Sequence, residues 1–269
     1  MQYDPIKRTF GNIIRKNQFL RILFYKLLGI AFLREWYVKS QLRNELGKYD
    51  KPFMVYDAGS GFGQYSYYIA KNFPLATVYG IDLKEEQVKD CNEFFASAGL
   101  SRCSFAVEDL TQITHTDKFD AVLSVDVMEH IPDDVKVFHN FFRALKKNGL
   151  LFINTPSNLG GSDVHSDNGH SFVEEHARNG YGAEEIRSKL ESAGFEVEKV
   201  RFTYGVWGTA AWRLGIKYPL LMLNISKLFL IVIPFYYLIL APIILPMMWL
   251  DFVKSNKTGT GLNVLARKL

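Results

Sequence analysis

Cysteine is scarce in this chain of 269 residues, which contains only Cys91 and Cys103. Their spacing matches no metal-binding motif, and two thiols cannot build the disulfide framework of a small secreted domain. So little cysteine is typical of a reducing, cytoplasmic compartment. We also expect no secretory signal, because Arg21 and Lys26 interrupt the apolar stretch around Phe19 and no small-residue cleavage site follows it.

Charge is absent from one long segment, residues 228–250, which reads LFLIVIPFYYLILAPIILPMMWL. At about 1.5 Å per residue, a helix of this length would cross the roughly 30 Å hydrocarbon core of a bilayer. Pro234, Pro242 and Pro246 interrupt the segment, and prolines argue against one continuous helix. The segment therefore predicts contact with lipid but not a simple span.

Basic residues are concentrated in the first 44 positions, which hold nine lysines and arginines and two acids, a net charge of +7 in a chain of +4. A basic segment favours an anionic partner, either lipid headgroups or nucleic acid. The apolar side chains between the charges favour lipid, and an amphipathic helix packed on the domain is the alternative. The cations are Lys7, Arg8, Arg15, Lys16, Arg21, Lys26, Arg34, Lys39 and Arg43, and the apolar residues are Ile13, Ile14, Phe19, Leu20, Leu23, Phe24, Leu27, Leu28, Ile30 and Phe32.

From residue 51 onward, short apolar runs alternate with segments of helical periodicity. The runs are almost continuously apolar, as in parallel strands that helices cover on both faces. The pattern predicts an α/β fold, a doubly wound, seven-stranded, mostly parallel Rossmann-like sheet with an apolar helical insertion before the last strand. The predicted strands are 53–56, 77–81, 104–107, 121–125, 150–154, 195–204 and 261–266, and the predicted helices are 64–72, 85–98, 135–146 and 183–193.

The first predicted strand leads into VYDAGSGFG, in which Asp57 precedes Gly59, Gly61 and Gly63. Glycines allow a tight turn and a close approach of the backbone to a ligand. Ligands of open α/β sheets bind beyond the carboxyl ends of the strands, where this turn lies. The spacing GxGxG differs from the dinucleotide pattern GxGxxG, so the turn alone does not identify the ligand.

Acidic residues end the next two predicted strands. Asp82 ends the second, where a carboxylate can accept hydrogen bonds from both hydroxyls of a ribose. Glu108 and Asp109 end the third, where an acid can accept a hydrogen bond from an adenine amino group. The glycine turn and these acids together predict a nucleoside-containing ligand.

In order and spacing, these motifs together with FDAVLSVDVMEHI and NGLLFINTP resemble the class I S-adenosylmethionine-dependent methyltransferases over about residues 50–205. The resemblance implies an enzyme with S-adenosylmethionine as its cofactor. It implies that Asp57, Gly59 and Gly61 hold the methionine moiety, that Asp82 binds the ribose and Asp109 the adenine, and that Asp126 faces the sulfonium and the acceptor. Gly63, Leu83 and Leu110 complete the predicted cofactor site.

The segment from Asp126 to Ile131 is similar to the corresponding loop of the quinone-biosynthesis O-methyltransferases. In that family an acid-x-x-Glu-His group is associated with a divalent metal and with deprotonation of a catechol, which implies Glu129 and His130 as candidate catalytic residues. Asp126 stands where those enzymes usually have Glu, which weakens the inference of a metal. The alternative is that Glu129 and His130 only cap the next helix.

A polar loop rich in Gly and Asn follows the fifth predicted strand and is expected to form a lid over the acceptor site. Its EEHARNGYGAEEI is similar to a segment of membrane-linked class I methyltransferases, in which the Glu-His step lies near the substrate. His176 is therefore a candidate general base, with an incidental histidine in a solvated loop as the alternative. Arg178 is expected to pair with an acid such as Glu175 or to meet an anionic substrate group.

The apolar run lies between the sixth and seventh predicted strands, which must be neighbours in the sheet. Both ends of the insertion then emerge on the same side, which excludes a single crossing. Two crossings need about 40 apolar residues, and residues 218–250 supply 33. We expect a broken, re-entrant or interfacial helical pair in one leaflet; a cap buried on the protein or in a dimer interface is the alternative. Candidate interfacial anchors are Trp207, Trp212, Tyr218, Tyr236, Tyr237 and Trp249.

The sequence thus predicts a monotopic methyltransferase on the cytoplasmic face of a membrane, acting at oxygen on a lipid or polyprenyl-tailed, quinone-like substrate. Carbon methylation of a quinone ring or lipid and a non-catalytic membrane-bound adapter remain the alternatives. The chain has no Asn-Pro-Pro-Tyr-type strand end, which argues against methylation of nucleic acid. The expected units are a basic arm (1–45), a catalytic domain (46–205), a membrane-associating insertion (206–257) and a terminal strand (258–269).

Overall fold

A computed structural model describes residues 17–160 and 177–269 of the chain. The strands are β1 (Phe53–Ala58), β2 (Ala76–Asp82), β3 (Cys103–Val107), β4 (Phe119–Val125), β5 (Leu145–Pro156), β6 (Phe195–Thr203) and β7 (Gly261–Lys268). The helices are α1 (Gln18–Ala31), α2 (Leu33–Leu46), α3 (Gln64–Asn72), α4 (Glu85–Ser97), α5 (Asp134–Ala144), α6 (Ala183–Ser192), α7 (Val206–Trp212), α8 (Tyr218–Ile225) and α9 (Phe229–Val253).

The strands form one sheet in the order β3-β2-β1-β4-β5-β7-β6. Neighbouring strands are parallel except β7, which runs antiparallel to both β5 and β6. The chain order reverses at β1, and the parallel strands all end at the same edge. This topology confirms the predicted mostly parallel, doubly wound sheet and fixes where its ligands bind.

Successive residues of the central strands point to opposite faces of the sheet and enter two separate cores. Val55 packs with residues of α2, α3 and α4, whereas its neighbour Tyr56 packs with residues of α5 and α6. Both side chains are fully buried. The double coverage explains why the strands are almost continuously apolar in sequence.

The predicted helix 135–146 is two residues too long. The helix ends at Ala144, and Leu145 already pairs with Phe119 as the first residue of β5. Lys146, which a helix C-terminus would favour, instead binds the carboxylate of Asp120 at 2.9 Å. Strand pairing and this ion pair therefore override the local helical preference.

The two N-terminal helices correct the interpretation of the basic arm. Arg21 is only 1% exposed, and Arg34 lines a cavity in the domain. The prediction that these two cations face lipid is therefore wrong. Periodicity alone does not show that a cation on an amphipathic helix points inward to a buried partner. Lys7, Arg8, Arg15 and Lys16 lie outside the described residues.

The insertion between β6 and β7 is a hairpin of two helical arms. The first arm comprises α7, a π-helical turn (Arg213–Lys217) and α8, and the second is α9. Thr203 at the end of β6 pairs with Gly261 at the start of β7, so both arms leave the sheet at one place, as expected.

The prolines do not break the second arm, contrary to the prediction. Pro234, Pro242 and Pro246 all lie inside the continuous α9, and the chain reverses at Ser226, which is extended. A proline removes only its own hydrogen bond, and a helix packed against a neighbour can tolerate that loss. The hydroxyls of Tyr236 and Tyr237 donate to the carbonyls of Leu214 and Gly215, which ties α9 to the π-helical turn.

The base of the hairpin packs on the domain, and the rest is exposed. Ile244 and Met248 of α9 are buried with Leu33, Tyr37 and Ala211. The buried carboxylate of Asp251 accepts hydrogen bonds from the Tyr37 hydroxyl at 2.8 Å and from the Gly208 N–H at 3.0 Å. By length and composition α9 could cross a membrane, and only 6% of its most apolar window is buried.

The predicted interfacial anchors occupy different environments. Trp207, Tyr218 and Trp249 are exposed, as an anchor must be, whereas Trp212 lines a cavity. The hydroxyls of Tyr236 and Tyr237 are engaged within the hairpin. Three of the six residues therefore remain candidates for contact with a membrane interface.

Candidate active site

A cavity of about 530 Å³ opens at the carboxyl ends of the parallel strands. We call it the cofactor cavity. It brings together most of the residues that the sequence assigned to a cofactor site: Gly59, Gly61, Asp82, Leu83, Asp109, Leu110 and Asp126. His130 also lines it, whereas Asp57 and Gly63 lie behind its wall.

The glycine turn has the close approaches that its sequence predicts. Gly59 has a φ of 83°, and a Cβ at this position would collide with the side chain of Val127. Gly63 has a φ of 74° and packs against Phe95 and Cys91, so it supports the turn from below. Any other residue would strain the backbone at both positions.

Asp82 holds the glycine turn and the start of α4 together. One carboxylate oxygen accepts from the N–H of Gly61 at 3.1 Å, and the other accepts from the N–H of Lys84 at 2.9 Å. A carboxylate can accept about four hydrogen bonds, so both oxygens retain capacity for a diol. Asp82 is therefore placed to bind a ribose while shaping the turn.

The two acids after β3 have different surroundings. The carboxylate of Glu108 accepts from the hydroxyls of Tyr56 and Tyr79 at 3.0 and 2.6 Å and contacts His115. Burial opposes ionisation, but these hydrogen bonds hold the pKa of Glu108 below its ordinary value. Among the described residues, Asp109 is hydrogen-bonded within its own turn, by the backbone and hydroxyl of Thr111 and by Gln112. Asp109 is thus the freer acceptor for a ligand.

Asp57 lies under the turn with its side chain buried. Its carboxylate accepts from the Ser66 hydroxyl at 2.5 Å. Burial raises the pKa of Asp57 to about 6 in spite of this hydrogen bond. Near neutral pH the protein therefore carries a buried charge whose burial opposes folding.

Replacing Asp57 by asparagine is expected to raise the stability of the ligand-free protein at pH 8. The folded-state pKa lies above the unfolded value of 3.8, so the folded state binds the proton more tightly and the aspartate costs stability as the pH rises through about 6. The full cost is up to about 3 kcal/mol, since one pKa unit equals about 1.4 kcal/mol. Melting curves from pH 4 to 8 measure it. If the difference in stability between variant and wild type does not shrink below about pH 6, the buried charge of Asp57 is not its cause.

Asp126 stands at the end of β4 with a strained backbone. Its φ is 52°, which is uncommon for a residue other than glycine and often marks a functional position. Its carboxylate forms an ion pair with Arg34, and its N–H donates to the carbonyl of Asn154 at 2.8 Å. The Arg34 Nε atom is buried and has no partner within the described residues.

A second cavity of about 160 Å³ begins where the first one ends. Arg34 and Asp126 line both cavities, so their ion pair marks the boundary between them. The second cavity has apolar walls from Phe32 and Trp212. Its polar lining residues are Asn154, Thr155, Thr203, Tyr204, Thr209 and Thr260.

Glu129 and His130 point to different places, although they are adjacent in sequence. His130 lines the cofactor cavity, but the Glu129 carboxylate is buried and accepts from the Thr155 hydroxyl at 3.1 Å. Burial raises the pKa of Glu129. Neither residue caps α5, because Asp133 does so by accepting from the Lys136 N–H.

The described residues do not fit a metal. Within residues 17–160 and 177–269, no three His, Cys, Asp or Glu side chains converge as metal ligands do. Asp126 is paired with Arg34 and Glu129 is bonded to Thr155, so the acid-x-x-Glu-His group does not form one ligand set. We derive no metal-dependent step.

The end of the predicted lid is anchored beside Glu129. The N–H of Ala177 donates to the Glu129 carbonyl at 2.9 Å. Arg178 pairs with Asp134 at 2.6 Å and donates to the carbonyls of Ile131 and Pro132, so it fastens the chain to α5. His176, like His165, His170 and Glu175, lies outside the described residues.

The sequence pointed to one wall of the second cavity, through Asp126 and the NGLLFINTP strand, but not to the opposite wall. In sequence Arg34 belongs to the basic arm and Trp212 to the candidate interfacial anchors, and Thr203 and Tyr204 belong to no motif. Only the folded chain brings the break between α1 and α2 to the base of the hairpin, where the Arg34 N–H donates to the Tyr204 hydroxyl at 2.9 Å. The Thr203 hydroxyl, which is buried and has no hydrogen-bond partner in the described part of the chain, marks this cavity.

Comparisons with known proteins agree with this fold. The family model described as a methyltransferase domain matches residues 50–201, more than half of the chain. A ubiquinone biosynthesis O-methyltransferase of Actinobacillus pleuropneumoniae is 30% identical over 128 residues, which are 46% of this chain and 52% of that protein. Cycloartenol-C-24-methyltransferase 1 of Oryza sativa is 29% identical over 214 residues, 71% of this chain and 61% of that protein.

The chain thus spans between half and two thirds of the length of these two relatives. Phosphoethanolamine N-methyltransferase 2 of Haemonchus contortus, solved in complex with S-adenosylmethionine, superposes with a TM-score of 0.62 at 19% identity. The superposition covers 98% of this chain and 59% of that one. The chain belongs to the methyltransferase domain family and has the fold of the class I S-adenosylmethionine-dependent methyltransferases.

Proposed function

We propose that the protein transfers a methyl group from S-adenosylmethionine to a lipid or polyprenyl-tailed acceptor at a membrane surface. The observation that carries the proposal is the meeting of two cavities at Asp126, one with the expected nucleoside-binding acids and the other walled by the base of an apolar hairpin. Bound S-adenosylmethionine supplies a methyl group already activated by its sulfonium. The protein then has to align the acceptor and exclude water.

We assign the cofactor cavity to S-adenosylmethionine. Asp82 retains acceptor capacity for the ribose, and Asp109 at the next strand end lines the cavity and accepts hydrogen bonds from Thr111 and Gln112 of its own turn. Glu108 is held by two tyrosines and a histidine, which supports Asp109 as the partner of the adenine amino group. The carboxylate of Asp126 lies where the cofactor cavity meets the acceptor side.

We assign the second cavity to the reacting end of the acceptor. Its volume of about 160 Å³ resembles that of a protein cavity that holds one benzene ring. A single ring fits, whereas a fused-ring sterol core would not. We propose that an apolar tail leaves past Trp212, which lines the cavity, and follows the exposed hairpin, as a tailed, quinone-like acceptor would.

Methylation at oxygen is the reaction we favour, because hydroxyl side chains dominate the polar lining. The Thr155 hydroxyl donates to Glu129, so its lone pairs are left to accept from an acceptor hydroxyl. The acceptor must also lose a proton, and His130 in the cofactor cavity is a candidate base. His176 is the second candidate, because the next residue, Ala177, is anchored at Glu129.

Carbon methylation is the second candidate, because the cycloartenol C-24-methyltransferase matches more of this chain than the ubiquinone enzyme does. Mass spectrometry of lipids from cells with and without the gene tests both reactions. One lipid should appear in pairs that differ by one CH2, and nuclear magnetic resonance of the product separates an O-methyl from a C-methyl group. Unchanged lipid profiles, with methylated RNA instead, would contradict the proposal.

Replacing Thr203 by valine tests the acceptor assignment. The Thr203 hydroxyl is fully buried with no partner among the residues described, so its loss should leave the free protein equally stable or up to about 2 kcal/mol more stable. We expect a several-fold higher KM for the acceptor with an unchanged Kd for S-adenosylmethionine. Steady-state kinetics and calorimetry measure the two quantities. A weaker cofactor affinity with an unchanged acceptor KM would reverse the assignment of the cavities.

A further inference from the structure

Helix α1 has two faces with opposite roles. Its outer face exposes Phe19, Leu23, Leu27 and Ile30, which recur every three or four residues and so form one apolar stripe. Its inner face buries Arg21 and Tyr25, which are 1% and 5% exposed. Burying an arginine on a surface helix is costly unless the guanidinium is fully paired, so its partners indicate what the burial achieves.

Arg21 uses its whole guanidinium. Its Nη1 binds Asp90 at 2.7 Å, its Nη2 donates to the carbonyl of Phe62 at 2.8 Å, and its Nε donates to the Tyr25 hydroxyl at 2.6 Å. Its Nη2 also lies 3.3 Å from the sulfur of Cys91, and the group stacks 4.3 Å from the ring centre of Phe94. Burial raises the pKa of Cys91 to about 12, so the thiol is neutral.

These partners belong to the walls of the cofactor cavity. Phe62 lies in the glycine turn and lines the cavity, and its carbonyl also accepts from the Tyr25 hydroxyl. Asp90 and Cys91 lie on α4, as does Gln87, which lines the same cavity. Arg21 therefore links α1, the glycine turn and α4. The turn is held from the other side by the bond between Asp82 and the N–H of Gly61.

We propose that Arg21 is a positioning residue for the cofactor, and that it couples docking of α1 on an anionic lipid surface to cofactor affinity. The proposal rests on the proposed function for the identity of the cofactor. Lipid is the occupant of the stripe because an exposed Lys26 borders it and four more cations precede it in the chain. A docked α1 holds Arg21 in place, and the turn is then ordered before the cofactor arrives.

The coupling is tested by calorimetry of S-adenosylmethionine with the full-length protein. The Kd is measured without vesicles and with mixed phosphatidylcholine–phosphatidylglycerol vesicles. We expect the vesicles to lower the Kd by about fivefold or more. By the same linkage, the cofactor should increase the fraction of protein that floats with the vesicles.

Three variants locate the effect. Arg21→Met should raise the Kd about tenfold without vesicles and abolish the vesicle effect, consistent with the loss of a charged hydrogen bond. Tyr25→Phe removes the hydroxyl that accepts from Arg21 Nε and donates to the Phe62 carbonyl but keeps the other bonds of the guanidinium. It should weaken binding less than Arg21→Met and serves if Arg21→Met fails to fold by circular dichroism. The double variant Leu23→Ser, Leu27→Ser changes only the outer face. It should bind the cofactor normally in solution and lose the vesicle effect.

Two results would overturn the coupling alone: a wild-type protein that floats and binds the cofactor with a Kd that vesicles do not change, or a folded Arg21→Met variant that behaves as wild type. A wild-type protein that binds no S-adenosylmethionine would instead overturn the proposed function, and this inference with it.

Discussion

Alanine in place of Asp82 is expected to weaken S-adenosylmethionine binding by roughly 100-fold or more. Two ribose hydroxyls bonded to a carboxylate contribute about 1.5–3 kcal/mol each, and each 1.4 kcal/mol corresponds to a tenfold change in Kd. The alanine also releases the N–H groups of Gly61 and Lys84 that shape the turn. Isothermal titration calorimetry measures the change directly.

Asparagine at position 82 is the matched control, because it retains one acceptor oxygen and the size of the side chain. We expect an intermediate affinity with a melting temperature close to that of the wild type. Glu108→Gln is a second comparison, since Glu108 is held by Tyr56 and Tyr79 rather than presented to the ligand. A larger loss of affinity from Glu108→Gln than from Asp82→Ala would place the adenosine differently from our assignment.

Removal of the outer part of the hairpin is expected to release the protein from membranes and to leave the cofactor Kd unchanged. Residues 220–239 carry nine exposed large apolar side chains, at Leu221, Ile225, Leu228, Leu230, Ile231, Val232, Phe235, Leu238 and Ile239. Moving a side chain of this size fully out of water is worth roughly 1.5–3 kcal/mol. Even if the nine side chains insert only partly, their summed free energy of transfer is larger than the binding free energy of a protein that only adsorbs weakly to the surface.

The structure sets the limits of this deletion. Ile244, Met248 and Asp251 support the domain and have to remain, as does the first arm up to Pro219, which is buried. Packed helices lie about 8–10 Å apart, so a linker of roughly three residues bridges the cut ends. Vesicle flotation and cofactor calorimetry are the two measurements.

Point variants in the intact hairpin test whether its apolar side chains insert into the membrane, because they do not remove the helices. Leu238→Lys places a charge on a 75% exposed apolar position and should reduce flotation strongly. Asn224→Lys adds the same charge at an exposed position that is already polar and should change little. If the shortened protein still floats as well as the wild type, the N-terminal segment is the real anchor.

Much of the fold could be predicted because its strands are buried on both faces. The helix 64–72 and the starts of β1, β6 and β7 match the structure to the residue, since Pro52 precedes β1, Gly63 precedes the helix, Gly194 precedes β6 and Gly261 begins β7. Because β6 and β7 must be neighbours in the sheet, it could also be predicted that both arms of the hairpin leave the sheet on the same side. These features follow from short-range composition together with the rules for parallel sheets.

What the sequence could not predict depends on which way single side chains point. Arg21 and Arg34 have the spacing of lipid-facing cations, yet both make their contacts inside the domain. Glu129 matches a catalytic motif, yet it is buried against Thr155. In each case the partner lies far away along the chain. Local patterns therefore predicted the elements and the cofactor edge, but not the second cavity.

Methyl transfer with purified components tests the central proposal most directly. Full-length protein is incubated with methyl-labelled S-adenosylmethionine and vesicles made from the total lipids of cells that lack the gene. We predict that label enters an organic-soluble lipid with the wild type and not with Asp82→Ala. A wild-type protein that binds the cofactor and the vesicles but leaves all lipids unlabelled would contradict the account.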